Sequence, residues 1–275
     1  MSRLPAGRIA AAIAAVVAVF LILSTTRTPR FRTVAHGVEF AEINGAPYCR
    51  HGSARIGALR VDPRVARFQV LHHTSESEED PIPIAQWMER TRAIAVFNAG
   101  QYYPDFTYMG LLVSDGQVVS KRPHATFRAA FVADPVGGGP DARVLDLDSL
   151  SIDPARPEWR QVAQSFMLFD DQGRIRVRTT NQVARRTAVA EDSRHHVVIV
   201  STEGSYTLHD FAILLKSAPL GLTHAMSMDG GEEAQLCVRG RKFAYANFSS
   251  WKPGAKAPDL SPAAPLPAVI AVLSE

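Results

Sequence analysis

THAMSMDGGEEAQLCV, residues Thr223 to Val238, runs a short apolar stretch into Asp229, Gly230 and Gly231 and then into a second carboxylate pair, Glu232 and Glu233. Glycine takes positive φ without strain, so an Asp-Gly-Gly at a strand end opens the backbone for a tight turn. The carboxylates are then held beside approachable backbone N–H groups, which suits chemistry on a polar, oxygen-rich substrate. Asp-Gly is also a common hairpin dipeptide, so a plain turn is the competing reading.

Outward from that stretch, strand patterns dominate. Alternating or β-branched runs occupy Gly37–Ile43, Ala54–Val61 and Arg67–His73, bounded by Asn44-Gly45 and Asp62-Pro63, and are expected to be antiparallel neighbours. Ile84–Arg90 has helical apolar spacing through Ile84, Trp87 and Met88, and leads into a buried strand, Ala93–Phe97, ending at Asn98-Ala99-Gly100. An aromatic loop follows (Tyr102, Tyr103, Phe106, Tyr108), then a hairpin turning at Asp115-Gly116. Aromatic faces there either stack on a sugar ring or pack as a small satellite core. Glu158–Phe166 is expected to be helical, with a hairpin turning near Asp171–Gly173 after it. Strands are expected at Thr187–Ala190 and His196–Ser201, with a polar turn, Glu191 to His195, between them. Thr207 reads as a helix N-cap with Asp210 three residues on, and Pro219 and Gly221 stop that helix. Strand patterns at Lys242–Phe248 and Ala268–Leu273 complete the chain. The fold class expected is α+β: a single domain of mixed or antiparallel sheet with a few flanking helices, spanning residues 35–275.

Residues 1–34 form a separate expectation. Between Arg8 and Arg27 lie 18 uncharged residues, with an unbroken apolar run from Ile9 to Leu23. As a helix this measures roughly 27 Å, enough to cross a bilayer. No small-x-small cleavage site follows Leu23, so an uncleaved signal anchor is favoured over a signal peptide, with the domain exported and membrane-tethered. Thirty basic against 27 acidic residues leave a net charge of +3, which excludes nucleic-acid binding by charge. Cys49 and Cys237 are compatible with one long-range disulfide or with two separate thiols.

Six stretches, FNAGQYYP (Phe97–Pro104), GLLVSDGQVV (Gly110–Val119), QSFML (Gln164–Leu168), RRTAVA (Arg185–Ala190), the helix after Thr202–Thr207, and AMSMDGGEEAQL, taken in order, resemble the phosphodiester glycosidase family. The likeness extends from about Val38 to Leu273. It departs from the family pattern where Asn98-Ala99-Gly100 stands for Asn-Gly-Gly, where Glu232-Glu233-Ala234 replaces a serine-containing run, and where Glu203 replaces a frequent aspartate. The resemblance implies an enzyme that cleaves the anomeric C–O bond of a sugar-1-phosphodiester, with bacterial relatives often linked to exopolysaccharides.

Phosphate is a good leaving group, so that chemistry asks for a carboxylate at the anomeric centre and a cation on the phosphate. Asp229 is the first catalytic candidate, Glu233 its partner carboxylate and Glu203 a third. Arg186 is the candidate phosphate ligand, because guanidinium grips phosphate oxygens in pairs; its strand neighbour Arg185 must face the other way. Asn98, Tyr102, Tyr103, Gly230 and Gly231 are candidate substrate contacts. The histidines lack metal-site spacing, so no zinc and no cofactor is expected, although a carboxylate-held calcium or magnesium is left open. The expected partners are a sugar-phosphate or glycan substrate and the membrane; the oligomeric state is left open. Two rival readings are a P–O-cleaving phosphodiesterase and a non-catalytic glycan-binding module of a polysaccharide export assembly.

Overall fold

The computed structural model describes residues 28–139, 141–248 and 263–274. In chain order its strands are β1 Arg32–Ala35, β2 Val38–Asn44, β3 Arg55–Val61, β4 Ala66–His72, β5 Ala95–Asn98, β6 Gly110–Ser114, β7 Gln117–Arg122, β8 Ala129–Pro135 and β9 Ala142–Asp146. They continue with β10 Trp159–Phe169, β11 Val183–Ala184, β12 Arg186–Asp192, β13 Val197–Thr202, β14 Tyr206–Thr207, β15 Leu222–Gly230, β16 Leu236–Gly240, β17 Phe243–Asn247 and β18 Ala268–Ser274. Two α-helices join them, α1 Ile84–Thr91 and α2 Leu208–Ser217.

Two sheets carry the architecture. The larger runs β1-β2-β3-β13-β12-β15-β10-β6-β7, with β8 and β9 branching from β10, and the smaller runs β17-β16-β5-β18-β4. Every strand pairing among the described residues is antiparallel. This resolves the expected mixed-or-antiparallel sheet in favour of the second.

The strands are apolar on both faces, and alternate residues serve different layers. Leu59, Val189, Val197 and Ile199 of the large sheet meet Phe97, Val70 and Ile270 of the small one in the central core. Their neighbours Ala58, Ala188, Val198 and Val200 face outward onto Phe211, Ala212 and Leu215 of α2. On the opposite side, Val96, Val269 and Ala271 of the small sheet receive Ile84, Trp87 and Met88 of α1. The result is a helix–sheet–sheet–helix stack, which a period of two along each strand produces directly.

Both expected helices are present. Thr207 caps α2 by accepting the Asp210 N–H at 3.0 Å, and α1 is anchored by the Trp87 indole donating to the Leu266 carbonyl at 3.1 Å. The helix expected at Glu158–Phe166 is instead strand β10. Its helix-forming glutamines are buried cross-links: Gln164 Oε1 accepts the N–H groups of Leu111 (2.8 Å) and His124 (3.0 Å), and Gln161 Oε1 accepts that of Val70 (2.8 Å). Tertiary hydrogen bonding outweighs a propensity preference of a few tenths of a kcal/mol per residue. β2 and β3 are neighbours as expected, but β4 leaves them and pairs with β18 in the other sheet. Glu191 and Asp192 lie within β12, buried, rather than in a turn. The two cysteines are free thiols in separate apolar clusters. The expected membrane segment Ile9–Leu23 lies outside the described residues; among those described, no helix is long and apolar enough to cross a membrane.

Candidate active site

β15 delivers Asp229 where its ladder with β12 is irregular. Arg186 pairs with Gly230 and Ala188 with Ser227, so two residues of β15, Met228 and Asp229, stand opposite the single Thr187. Such a bulge re-aims one side chain without ending the strand. Met228 drops into the central core while Ser227, Asp229 and Arg186 line a cleft on the side of the sheet that α2 covers. Asp-Gly-Gly is therefore a bulged strand end followed by a short helical turn, Gly231–Glu233, and not a hairpin.

The glycines are required by close approach. A Cβ on Gly230 would sit 3.0 Å from the Arg185 carbonyl oxygen and 3.2 Å from Arg186 Nη1, and Gly231 holds φ of +79°. The two adjacent arginines divide as alternation demands. Arg185 is buried and its guanidinium donates to the carbonyls of Gly231 and Glu232, each at 3.1 Å, clamping the turn. Arg186 donates through Nε to Tyr206 O and through Nη2 to Gln182 O, both at 3.1 Å, which leaves Nη1 beside Gly230.

The cleft encloses about 710 Å³. Burial pushes the Asp229 carboxyl up to about 7; the Gly230 N–H, donating to Oδ1 at 2.8 Å, and the Arg186 charge pull it down, while Glu233 pushes it further up. Burial also lowers Arg186 to about 10, with Asp229 opposing. A carboxyl desolvated in a cleft wall, with one backbone donor and no cation in ion-pair contact, keeps a proton near neutrality.

The other sequence candidates fall into distinct places. Glu233 is beside the cleft, accepting the Tyr102 hydroxyl at 2.9 Å; desolvation of the half-buried phenol and that neighbouring carboxylate raise its pKa, so it is itself held protonated. Tyr102 thus spends its polar end on Glu233, and Tyr103 projects into solvent with 45% exposure. Asn98 is buried and occupied by main chain: its Nδ2 donates to Ala99 O (3.1 Å) and Asp229 O (3.0 Å), and its Oδ1 accepts the Gln235 N–H (3.1 Å). It holds the Asp-Gly-Gly segment to β5, a scaffold role in place of the expected substrate contact. Glu203 is away from the cleft lining, 3.7 Å from Arg55 in a cluster with Glu42.

Several cleft residues were not anticipated. Gln101, Thr126, Arg176, Arg178 and Gln182 line the cleft together with Asp229 and Arg186. The alternation Arg174-Ile175-Arg176-Val177-Arg178 is the one signal that pointed to a cationic face, and it read as an ordinary hairpin. Among the described residues no group of three or more His, Cys, Asp or Glu side chains is placed to hold a metal ion.

A model of the phosphodiester glycosidase family matches residues 91–273, about two thirds of the chain. No curated protein matches it. Among solved structures, a hypothetical protein from Synechocystis superposes with a TM-score of 0.61 at 14% identity, covering 91% of this chain; the chain spans 64% of that protein's length. The zebrafish N-acetylglucosamine-1-phosphodiester alpha-N-acetylglucosaminidase catalytic domain, auto-inhibited by its pro-peptide, superposes with a TM-score of 0.60 at 16% identity, covering 92% of this chain and 85% of its own. At these identities the likeness speaks to the fold, and the match over residues 91–273 speaks to descent: the chain belongs to the phosphodiester glycosidase family of enzymes.

Proposed function

We propose that the chain hydrolyses the glycosidic bond of a sugar-1-phosphodiester, with Asp229 and Arg186 as the working pair. The observation that carries the reading is their juxtaposition: a carboxyl raised to about 7 shares one cleft with a guanidinium that has no carboxylate hydrogen-bonded to it. Proton transfer is most effective from a group whose pKa lies near the working pH.

In the proposed reaction the C1–O bond breaks with its electron pair passing to the phosphoryl oxygen, and water oxygen bonds to C1. The proton that water loses passes to Asp229 in its carboxylate form and from there to solvent. The products are the free sugar and a phosphomonoester. Arg186 Nη1 meets a non-bridging phosphate oxygen and offsets the charge that builds on the leaving group. Glu233, held by Tyr102, keeps negative charge near Asp229 and sustains its high pKa. The substrate is an envelope or extracellular glycan, and the domain works exported and tethered through Ile9–Leu23, a reading supported by the length of that apolar run.

Incubation with the methyl diester of N-acetylglucosamine 1-phosphate in oxygen-18 water tests the reading. The expected outcome is labelled sugar, and a loss of at least ~100-fold in Asp229→Asn. Label in the phosphate would mean P–O cleavage and would replace the proposal. No release of any product from folded protein across a panel of such diesters would leave glycan binding as the function.

A further inference from the structure

Three arginines line the cleft, and they differ in what already neutralises them. Arg176 is spoken for, ion-paired to Asp146 at 3.1 Å, to Asp170 at 3.2 Å and to Asp148. Arg186 has carbonyl partners but, among the described residues, no carboxylate in hydrogen-bond contact. Arg178 is exposed and, among the described residues, makes no ion pair or hydrogen bond.

The segment carrying Arg178 is braced at both ends. Arg176 fixes one end in its three aspartates, and its N–H donates to Leu168 O at 2.8 Å. At the other end Gln182 O accepts Arg186 Nη2, and β11 pairs with β14 directly after it. Arg178 is therefore presented to the cleft from a fixed support, and the support is tied to Arg186 itself.

A phosphodiester carries a single negative charge, which one guanidinium matches. Two guanidiniums without a hydrogen-bonded carboxylate on one cleft exceed that need. We infer that the preferred substrate carries a second anionic phosphate on the leaving side of the scissile diester, and that Arg178 is the residue that reads it. This rests on the proposed reaction for the identity of the first phosphate. The shared chemistry fits either a diphosphate or a second phosphate further along the leaving alcohol.

The test uses a matched pair: N-acetylglucosamine-1-phosphoglycerol and the same compound phosphorylated on the terminal glycerol hydroxyl. Affinities are measured by calorimetry on the full chain in an Asp229→Asn background, which prevents turnover, with and without Arg178→Gln. The expected result is roughly tenfold tighter binding of the phosphorylated ligand, a preference that falls toward unity in Arg178→Gln and shrinks as salt is raised. Equal affinities for the two glycerol ligands together with no Arg178-dependent gain for uridine diphosphate N-acetylglucosamine, a preference that survives Arg178→Gln, or no binding of any of the three ligands would overturn the inference. Uridine diphosphate N-acetylglucosamine distinguishes the two sources: an Arg178-dependent gain there alone, without one for the glycerol phosphate, assigns the diphosphate. Sugar release by wild type is scored separately. Release with no charge preference sinks this inference and spares the glycosidase reading, and an Arg178-dependent preference with no release does the reverse.

Discussion

Strands β12 and β15 carry a desolvated carboxyl at each end of their ladder, Glu191 buried and Asp229 half-buried in the cleft wall, and the two ends have opposite electrostatics. At one end Glu191 pairs in register with His224, accepts its Nε2 at 3.2 Å and accepts the Val144 N–H at 2.7 Å. Burial alone would raise the Glu191 pKa, but those hydrogen bonds outweigh it and hold the carboxyl below its usual value; the same contact overcomes burial and raises His224. At the other end Asp229 receives one backbone N–H, and Arg186 turns its guanidinium to carbonyl oxygens, so burial wins and the carboxyl rises to about 7. Desolvation of the carboxyl is common to both. What differs is how completely each acid is satisfied, and the incompletely satisfied one is the end that faces a cleft.

The largest effect expected from breaking this contrast is on turnover. Asp229→Asn is expected to remove at least ~100-fold of activity while raising stability at pH 8. The sign follows from linkage: the folded pKa lies above the unfolded 3.8, so the fold loses stability as pH climbs from about 4 to 7 and the wild-type penalty is full only above that. The gain, about 2 kcal/mol at pH 8, should vanish below pH 4, read by denaturant melts at both pH values.

At the satisfied end the order reverses. His224→Ala is expected to cost about 2 kcal/mol of stability, because it strands a buried carboxylate, with the activity of the folded fraction retained. The glutamate's contribution is full above its unfolded pKa near 4.5 and is lost as pH falls through its lower folded value, and the histidine's is full below 6.5 and is lost as pH rises through its higher folded value, so the difference from wild type should peak between 4.5 and 6.5. A flat profile would mean that the pair is not an ion pair.

Smaller effects sharpen the cleft's electrostatics. Glu233→Gln removes a charge that raises Asp229, so the acidic limb of the pH–rate profile should move down by roughly half a unit. Arg186→Gln should move it up, alongside a large loss of activity. Tyr102→Phe, which deletes only the hydroxyl that holds Glu233, is expected to give the mildest change, a few-fold in kcat. Limb shifts in the wrong direction would remove Asp229 as the titrating group.

The cleft was partly legible in the chain. Asp229-Gly230-Gly231 stood out because few elements need two glycines beside an acid, and strand alternation correctly separated Arg185 from Arg186. Glu203 misled because a carboxylate after an apolar strand looks alike whichever sheet edge it reaches, and only the register with β3 puts it beside Arg55. Asn98 was visible as a residue but not as a scaffold, since its three partners come from main chain as far away as Gln235. Arg178 shared in the Arg174-Arg176-Arg178 alternation, but that pattern does not separate it from Arg176, because an arginine in an irregular segment gains meaning only from what fails to pair with it. β10 was misread for a related reason: Gln161 and Gln164 favour a helix locally and are claimed by distant backbone.

The placement of β18 bears on how the protein is made. Residues 268–274 fill the middle of the small sheet, between β5 and β4, whose residues precede them by about 170 and 200 positions. On the ribosome β4 and β5 must therefore wait with open, apolar edges while nearly the whole domain is synthesised. Early chain release should yield aggregation rather than a smaller folded protein, and the interval before β18 emerges is when a chaperone has most to protect.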